Sequence, residues 1–116
     1  MPQTPQQRLG RFGEDRALAH LSAAGLVLVE RNFLCKVGEI DLIMQHGAHL
    51  VFVEVRRRAL GRFGDAAASV TPAKQRRLVH AAQFYLLRYR QPPPCRFDLV
   101  AIDGEKLSWI QNALEM

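Results

Sequence analysis

Hydrophobic and polar positions along the chain divide it into two helical stretches and five strand-like runs. From about Gln6 to Ala24 the apolar residues recur at helical spacing, and Gly25 supplies a natural stop. LVLVERNF (26–33) reads as a strand. EIDLIMQ (39–45) and LVFVEVR (50–56) are two more, joined by His46-Gly47-Ala48-His49. Gly47-Ala48 fits a two-residue hairpin turn with glycine first. Segment 57–70 shows no clear period, carries glycines and reads as a loop. Thr71 then predicts an N-cap and Pro72 the first helical position of a second helix, which runs to about Tyr89 and is halted by QPPP (91–94). RFDLVAI (96–102) predicts a fourth strand, Asp103-Gly104 a turn, and KLSWI (106–110) a short fifth strand. The predicted order is αβββαββ, an α/β class with strands both before and after the second helix.

The hairpin fixes a register. With Gly47 and Ala48 as the turn, paired residue numbers sum to 95. Ile43 then faces Phe52, Asp41 faces Glu54, and Glu39 faces Arg56, all on one face. Ile40, Leu42, Met44, Val51, Val53 and Val55 form the other face, read as the core face. Directly opposed carboxylates have Cβ atoms about 4.5–5.5 Å apart and destabilise the pair unless neutralised. A shared proton, a nearby Arg or Lys, or a divalent cation would each serve. Mg²⁺ binds through one or two carboxylates and keeps several waters, so this pair suits it. A solvated pair balanced by Arg56 is the plainer alternative.

Glu14 is a third acid on an expected apolar face. At helical spacing it aligns with Gly10, Ala17, Leu18 and Leu21, whereas Asp15 points away. A carboxylate there is costly unless paired or bound to a metal, or unless it reaches water at the stripe's edge. On the second helix Lys74 shares a face with Leu78, Ala81 and Tyr85. It sits in the first turn, where the helix end attracts phosphate; a snorkelling lysine is the alternative. Arg57, Arg58, Arg62, Arg76, Arg77, Arg88 and Arg90 extend the positive supply, enough together to track a phosphate backbone.

Length and charge narrow the class. A chain of 116 residues favours one domain, 1–116, with one core. The formal charge of +5 and pI of about 9.9 suit an anionic partner such as nucleic acid. No apolar run approaches a membrane span, and the start shows no signal-peptide segment, so no membrane partner and a cytoplasmic location are expected. Cys35 and Cys95 read as free thiols. His20, His46, His49 and His80 show no ligand spacing with either cysteine, and no P-loop or dinucleotide motif is present.

The ordered set GEDRALAHL (13–21), the Asn32 region, GEIDLI (38–43), LVFVEVR (50–56), AKQRRL (73–78) and RFDLVAI (96–102) resembles the YraN-type, endonuclease-like family of small bacterial proteins. That family is similar to Holliday-junction resolvases and other PD-(D/E)xK nucleases. The resemblance implies a restriction-endonuclease-like core, a mixed central sheet flanked by helices. It implies Asp41 as the motif aspartate, Glu54 as the second acid, Glu14 as the helix glutamate, and Mg²⁺ or Mn²⁺ as cofactor. The Val55 carbonyl is a further candidate ligand. The motif lysine falls on Arg56, which stays protonated and cannot act as a general base at neutral pH. Lys74 is the candidate replacement amine. Arg57, Arg58, Arg62, Lys74 and Arg77 are the candidate nucleic-acid contacts. The implied activity is metal-dependent hydrolysis of DNA phosphodiesters, branched DNA included, by a possible homodimer. A catalytically inactive nucleic-acid-binding module and a structural adaptor are the other classes.

Overall fold

A computed structural model describes residues 5–58 and 62–114, with side chains from residue 12 onward. Residues 1–4, positions 59–61 of the expected loop and residues 115–116 lie outside the described residues. The elements are α1 (Pro5–Ala23), β1 (Val27–Cys35), β2 (Gly38–His46), β3 (His49–Arg58), α2 (Asp65–Ala68), α3 (Pro72–Leu86), β4 (Cys95–Asp103) and β5 (Lys106–Leu114). Five strands form one sheet in the order β1-β2-β3-β4-β5. Only β3 and β4 run parallel; the other neighbours are antiparallel. The sheet is therefore mixed, and the β3–β4 crossover carries α2 and α3.

Local signals explain most boundaries. Gly25 takes φ +98° after α1, and Leu26 N–H closes back on Leu21 O at 3.1 Å. Gly47 takes φ +59° in the β2–β3 turn, as a glycine-first hairpin requires. Thr71 caps α3 by accepting from Lys74 N–H at 3.2 Å, with Pro72 in the first turn.

The element order corrects the expectation to αβββααββ. β3 continues to Arg58, and the short helix α2 interrupts the expected loop. Its cause lies far away in sequence. Asp103 at the end of β4 accepts from Gly64 N–H at 3.0 Å and Ala66 N–H at 2.8 Å, satisfying the exposed donors of that helix start. β5 also extends beyond residue 110, to Leu114.

Both sheet faces are core. Leu78, Ala81, Ala82 and Tyr85 of α3 pack on Phe33, Ile40, Ile43, Leu50, Phe52 and Phe97. Ala17 and Leu21 of α1 pack on Leu42, Met44, Val51, Val53, Val100 and Ile102. The expected single core face is thus corrected: β3 is central, buried on both sides, and its sequence is a near-continuous apolar run for that reason. No helix among the described residues is long and apolar enough to cross a membrane.

Candidate functional site

The predicted register holds from His46↔His49 through Ile43↔Phe52 to Leu42↔Val53. Beyond it the hairpin opens. Asp41 Oδ2 accepts a hydrogen bond from Val55 N–H at 2.8 Å, so a side chain takes the place of a backbone partner. Alternation also breaks here: Ile40 packs with the α3 cluster, whereas Leu42 packs with the α1 cluster. On the neighbouring strand Asn32, between the pairs Arg31↔Leu42 and Phe33↔Ile40, takes φ +54°. Two adjacent strands therefore kink at one level. The expected face shared by Glu39, Asp41, Ile43, Phe52, Glu54 and Arg56 is corrected accordingly: Arg56 turns to Glu54 and Ser69, not to Glu39.

The opening makes a cleft of about 680 Å³. Gly13 and Glu14 of α1 approach from one face of the sheet, and Lys74, Arg77 and Leu78 of α3 from the other. Leu34 of β1, Gly38, Glu39 and Asp41 of β2 and Glu54 to Arg57 of β3 complete it. Gly38 is required by this approach, because a Cβ there would lie 2.9 Å from the Arg77 carbonyl oxygen.

Three acids are buried among the described residues: Glu54 at 8 % exposure, Asp98 at 2 % and Asp103 at 7 %. Two are saturated with donors. Asp98 accepts from Arg96 at 2.8 and 2.9 Å, from Trp109 Nε1 at 2.9 Å and from Asn112 N–H at 3.0 Å. Asp103 holds the start of α2. Glu54 differs, because it lines the cleft beside another carboxyl, that of Asp41. Burial pushes Glu54 up to about 8, reinforced by the charge of Asp41 and opposed by Lys74 and Arg56. Burial likewise raises Asp41 to about 6; the Val55 N–H bond opposes this, and Glu14 and Glu39 add to it. Burial thus favours the neutral form of both acids, the direction of one of the three neutralisers expected from sequence. Arg56 and Lys74 contribute a second.

The other predicted residues separate clearly. Arg56 Nη1 lies 3.8 Å from Glu54 Oε1, and its Nε donates to Ser69 Oγ at 3.0 Å. Glu14 enters the cleft and lies 3.7 Å from Arg31 Nε. The Asn32 amide, with its nitrogen turned toward α1, donates to the two Glu14 oxygens at 2.9 and 3.2 Å. Arg57, Lys74 and Arg77 line the cleft; Arg58 and Arg62 do not. Arg62 instead lies at the start of α2, where its N–H donates to Asp65. Among the described residues no three His, Cys, Asp or Glu side chains are grouped closely enough to hold an ion. Asp41 and Glu54 are the two that meet.

Sequence reasoning missed Arg31 and Ser69 and quoted the Asn32 region only as part of the family resemblance; these residues hold Glu14 and Arg56 in position. Asn32 carried a signal, a small polar residue able to take positive φ within a strand pattern. Ser69 carried none, because its partner lies across the fold.

Comparison with known proteins agrees along most of the chain. Residues 13–102 match the model of the uncharacterised protein family UPF0102. A UPF0102 protein of Herminiimonas arsenicoxydans is 58% identical over 98% of this chain and 92% of its own length. Another, from Janthinobacterium sp. (strain Marseille), is 58% identical over 98% of this chain and 93% of its own. One from Acidovorax sp. (strain JS42) is 53% identical, covering 98% and 89%. The chain belongs to the UPF0102 family, the YraN-type family whose motifs run through its cleft.

Proposed function

We propose that this protein binds nucleic acid in the cleft and acts as a metal-dependent endonuclease on DNA, with the chain forming a restriction-endonuclease-like core. The observation that carries the reading is the meeting of Asp41 and Glu54 in one cleft that Arg56, Arg57, Lys74 and Arg77 also line. A pair of acids alone repels an anionic backbone, and cations alone give only binding. Together they form a place where a phosphate can be held beside a divalent ion.

The donor set fits such an ion. Two neighbouring carboxylates form a hard-oxygen pair once both are ionised, which is the chemistry Mg²⁺ and Mn²⁺ prefer. Asp41 and Glu54 would hold it, with the Val55 carbonyl as a further ligand and Glu14 at the cleft's edge; when bound, the ion supplies Lewis-acid polarisation of a phosphate and a more acidic water. The protein's own groups do the rest. Val55 N–H orients the Asp41 carboxylate. Arg56, fixed by Ser69 and Glu54, offers a permanent cation to charge developing on a phosphate oxygen. Lys74 opposes the raised affinity of both acids for protons and so favours their ligating form.

Arg56 also motivates a second reading. A guanidinium balanced by Glu54 and Ser69 cannot take a proton from water, and a binding module without turnover needs no more than this. Cleavage of labelled branched and linear DNA with Mg²⁺, Mn²⁺ or EDTA, beside Glu54→Ala prepared identically, separates the two. Metal-dependent cutting lost in Glu54→Ala is the expected result. Equal cutting by Glu54→Ala removes the assignment, and salt-sensitive binding without cutting selects the second reading.

A further inference from the structure

Behind the cleft lies a smaller chamber of about 250 Å³. Glu54 and Leu78 line both spaces, so these two side chains form the partition between them. The chamber's walls are otherwise mostly apolar, two of them the rings of Phe52 and Phe97, whose centroids lie 5.4 Å apart. Gln75 brings an amide, held by donation from its Nε2 to the Val70 carbonyl at 3.1 Å. That hold fixes the orientation of the carboxamide, whose oxygen is an acceptor suited to a ring-edge donor.

We propose that this chamber receives one unpaired nucleobase of the strand whose phosphate lies in the cleft, an inference that rests on the nucleic-acid reading above. Size is the first argument. The volume falls below the range of drug-sized pockets, which begins at roughly 300 Å³, and suits one flat heteroaromatic ring. Position is the second. A nucleotide joins an anionic phosphate to a ring with apolar faces and polar edges. The two spaces repeat that division: charged groups outside Glu54, with Arg56, Arg57, Lys74 and Arg77 among them, and behind it a mostly apolar space with a fixed amide, where the oxygens of Asp98 are already taken by Arg96, Trp109 and Asn112. Pairing is the third. A base inside a duplex cannot reach a recess behind the phosphate site without leaving its stack, so the chamber selects strands with an unpaired position.

The test fills the chamber without touching the acids or the cleft cations. Ala113→Phe on β5 and Ala67→Leu on α2 each add bulk from a lining position. The probes are a DNA hairpin with one bulged 2-aminopurine, the same hairpin with an abasic site there, and a fully paired duplex, titrated in EDTA. Wild type is expected to bind the bulged probe at least about five-fold more tightly than the abasic one, as base contacts in single-strand binders do. Its 2-aminopurine fluorescence should change on binding. Both filled variants should lose that preference while keeping salt-sensitive affinity for the duplex. Equal affinity for bulged and abasic probes overturns the proposal and leaves the cleft reading standing. Filled variants that melt higher but bind like wild type also overturn it, because the chamber is then only unfilled space in the core. Failure to bind any of the three probes overturns the chamber and the cleft reading together.

Discussion

Val55 N–H donates to the Asp41 carboxylate at 2.8 Å, at the level where the β2–β3 ladder has just ended at Leu42↔Val53. The bond has two effects. It satisfies a backbone donor that the opened hairpin would strand, and it aims one Asp41 oxygen along the strand. Asp41→Asn keeps an oxygen acceptor for Val55, whereas Asp41→Ala does not. In urea unfolding at pH 8 with EDTA, Asp41→Ala should be less stable than Asp41→Asn by about 1–3 kcal/mol, the cost of an unsatisfied buried donor. Calorimetric titration with Mg²⁺ should lose its heat in both. Coincident urea midpoints for the two variants would remove the structural role given to this bond.

The raised proton affinities of Asp41 and Glu54 make folding depend on pH. Both native pKa values lie above their ordinary ones, Glu54 at about 8 against 4.5 and Asp41 at about 6 against 3.8. The native state therefore holds more protons than the unfolded state across that window, and stability falls as pH rises. The pair's contribution is fully present below about pH 4 and is lost by the time pH passes about 8. Thermal melts in EDTA from pH 5 to 9 should show this decline in wild type and a flatter profile in Glu54→Gln. At pH 8, Mg²⁺ should raise the wild-type melting temperature and leave Glu54→Gln unchanged. A wild-type profile that rises across the window would contradict the raised values.

Much of this geometry is legible in the sequence. The 95-sum register from the glycine-first turn gave Ile43↔Phe52 correctly, because a two-residue turn leaves the pairing no freedom. Glu14 stood out because a carboxylate in line with Ala17 and Leu21 conflicts with their burial. The kink at Asn32 and Asp41 was not legible as such. Alternation along a strand assumes an unbroken pleat, and the break depends on two strands bending at the same level. Helix α2 was missed for a related reason. Its start is held by Asp103, 37 positions beyond Ala66 in the chain, so no local pattern announces it. The second buried face of β3 was hidden because a hairpin strand and a central parallel strand can share the same apolar run.

Cleft cations and outlying cations should differ in the salt dependence of binding. Lys74 and Arg77 line the cleft, and Arg62 does not. Each phosphate neutralised in the complex adds about −0.9 to the slope of log K against log salt on duplex DNA. Lys74→Ala and Arg77→Ala should each make the slope shallower by about that amount. Arg62→Ala should leave it unchanged. The measurement is fluorescence anisotropy on a labelled duplex over a range of KCl concentrations. Equal slopes for all three variants would mean that the anionic partner does not lie in the cleft.

In the nuclease reading, Arg56 is the residue on which turnover depends most. Its Nε is held by Ser69 Oγ at 3.0 Å, and that hydroxyl donates in turn to Ala66 O at 2.6 Å. Asp103 anchors the same helix turn through Ala66 N–H. The chain Asp103–α2–Ser69–Arg56 fixes one edge of the guanidinium, and Glu54 lies 3.8 Å from Nη1. Ser69→Ala leaves Nε without that acceptor and should cost about 1 kcal/mol of stability. In the nuclease reading it should lower kcat about ten-fold with little change in KM, because stabilisation made only in the transition state is what loosens. Arg56→Lys tests the same position differently. A lysine cannot keep the planar bond to Ser69, but it restores an amine able to exchange a proton. Metal-dependent cleavage by Arg56→Lys at or above the wild-type rate, with a pH profile shifted from wild type, is the expected outcome. If neither wild type nor Arg56→Lys cuts, while duplex binding persists in both, the protein belongs to the binding reading. There the arginine serves to balance Asp41 and Glu54, and the cleft holds a backbone without breaking it.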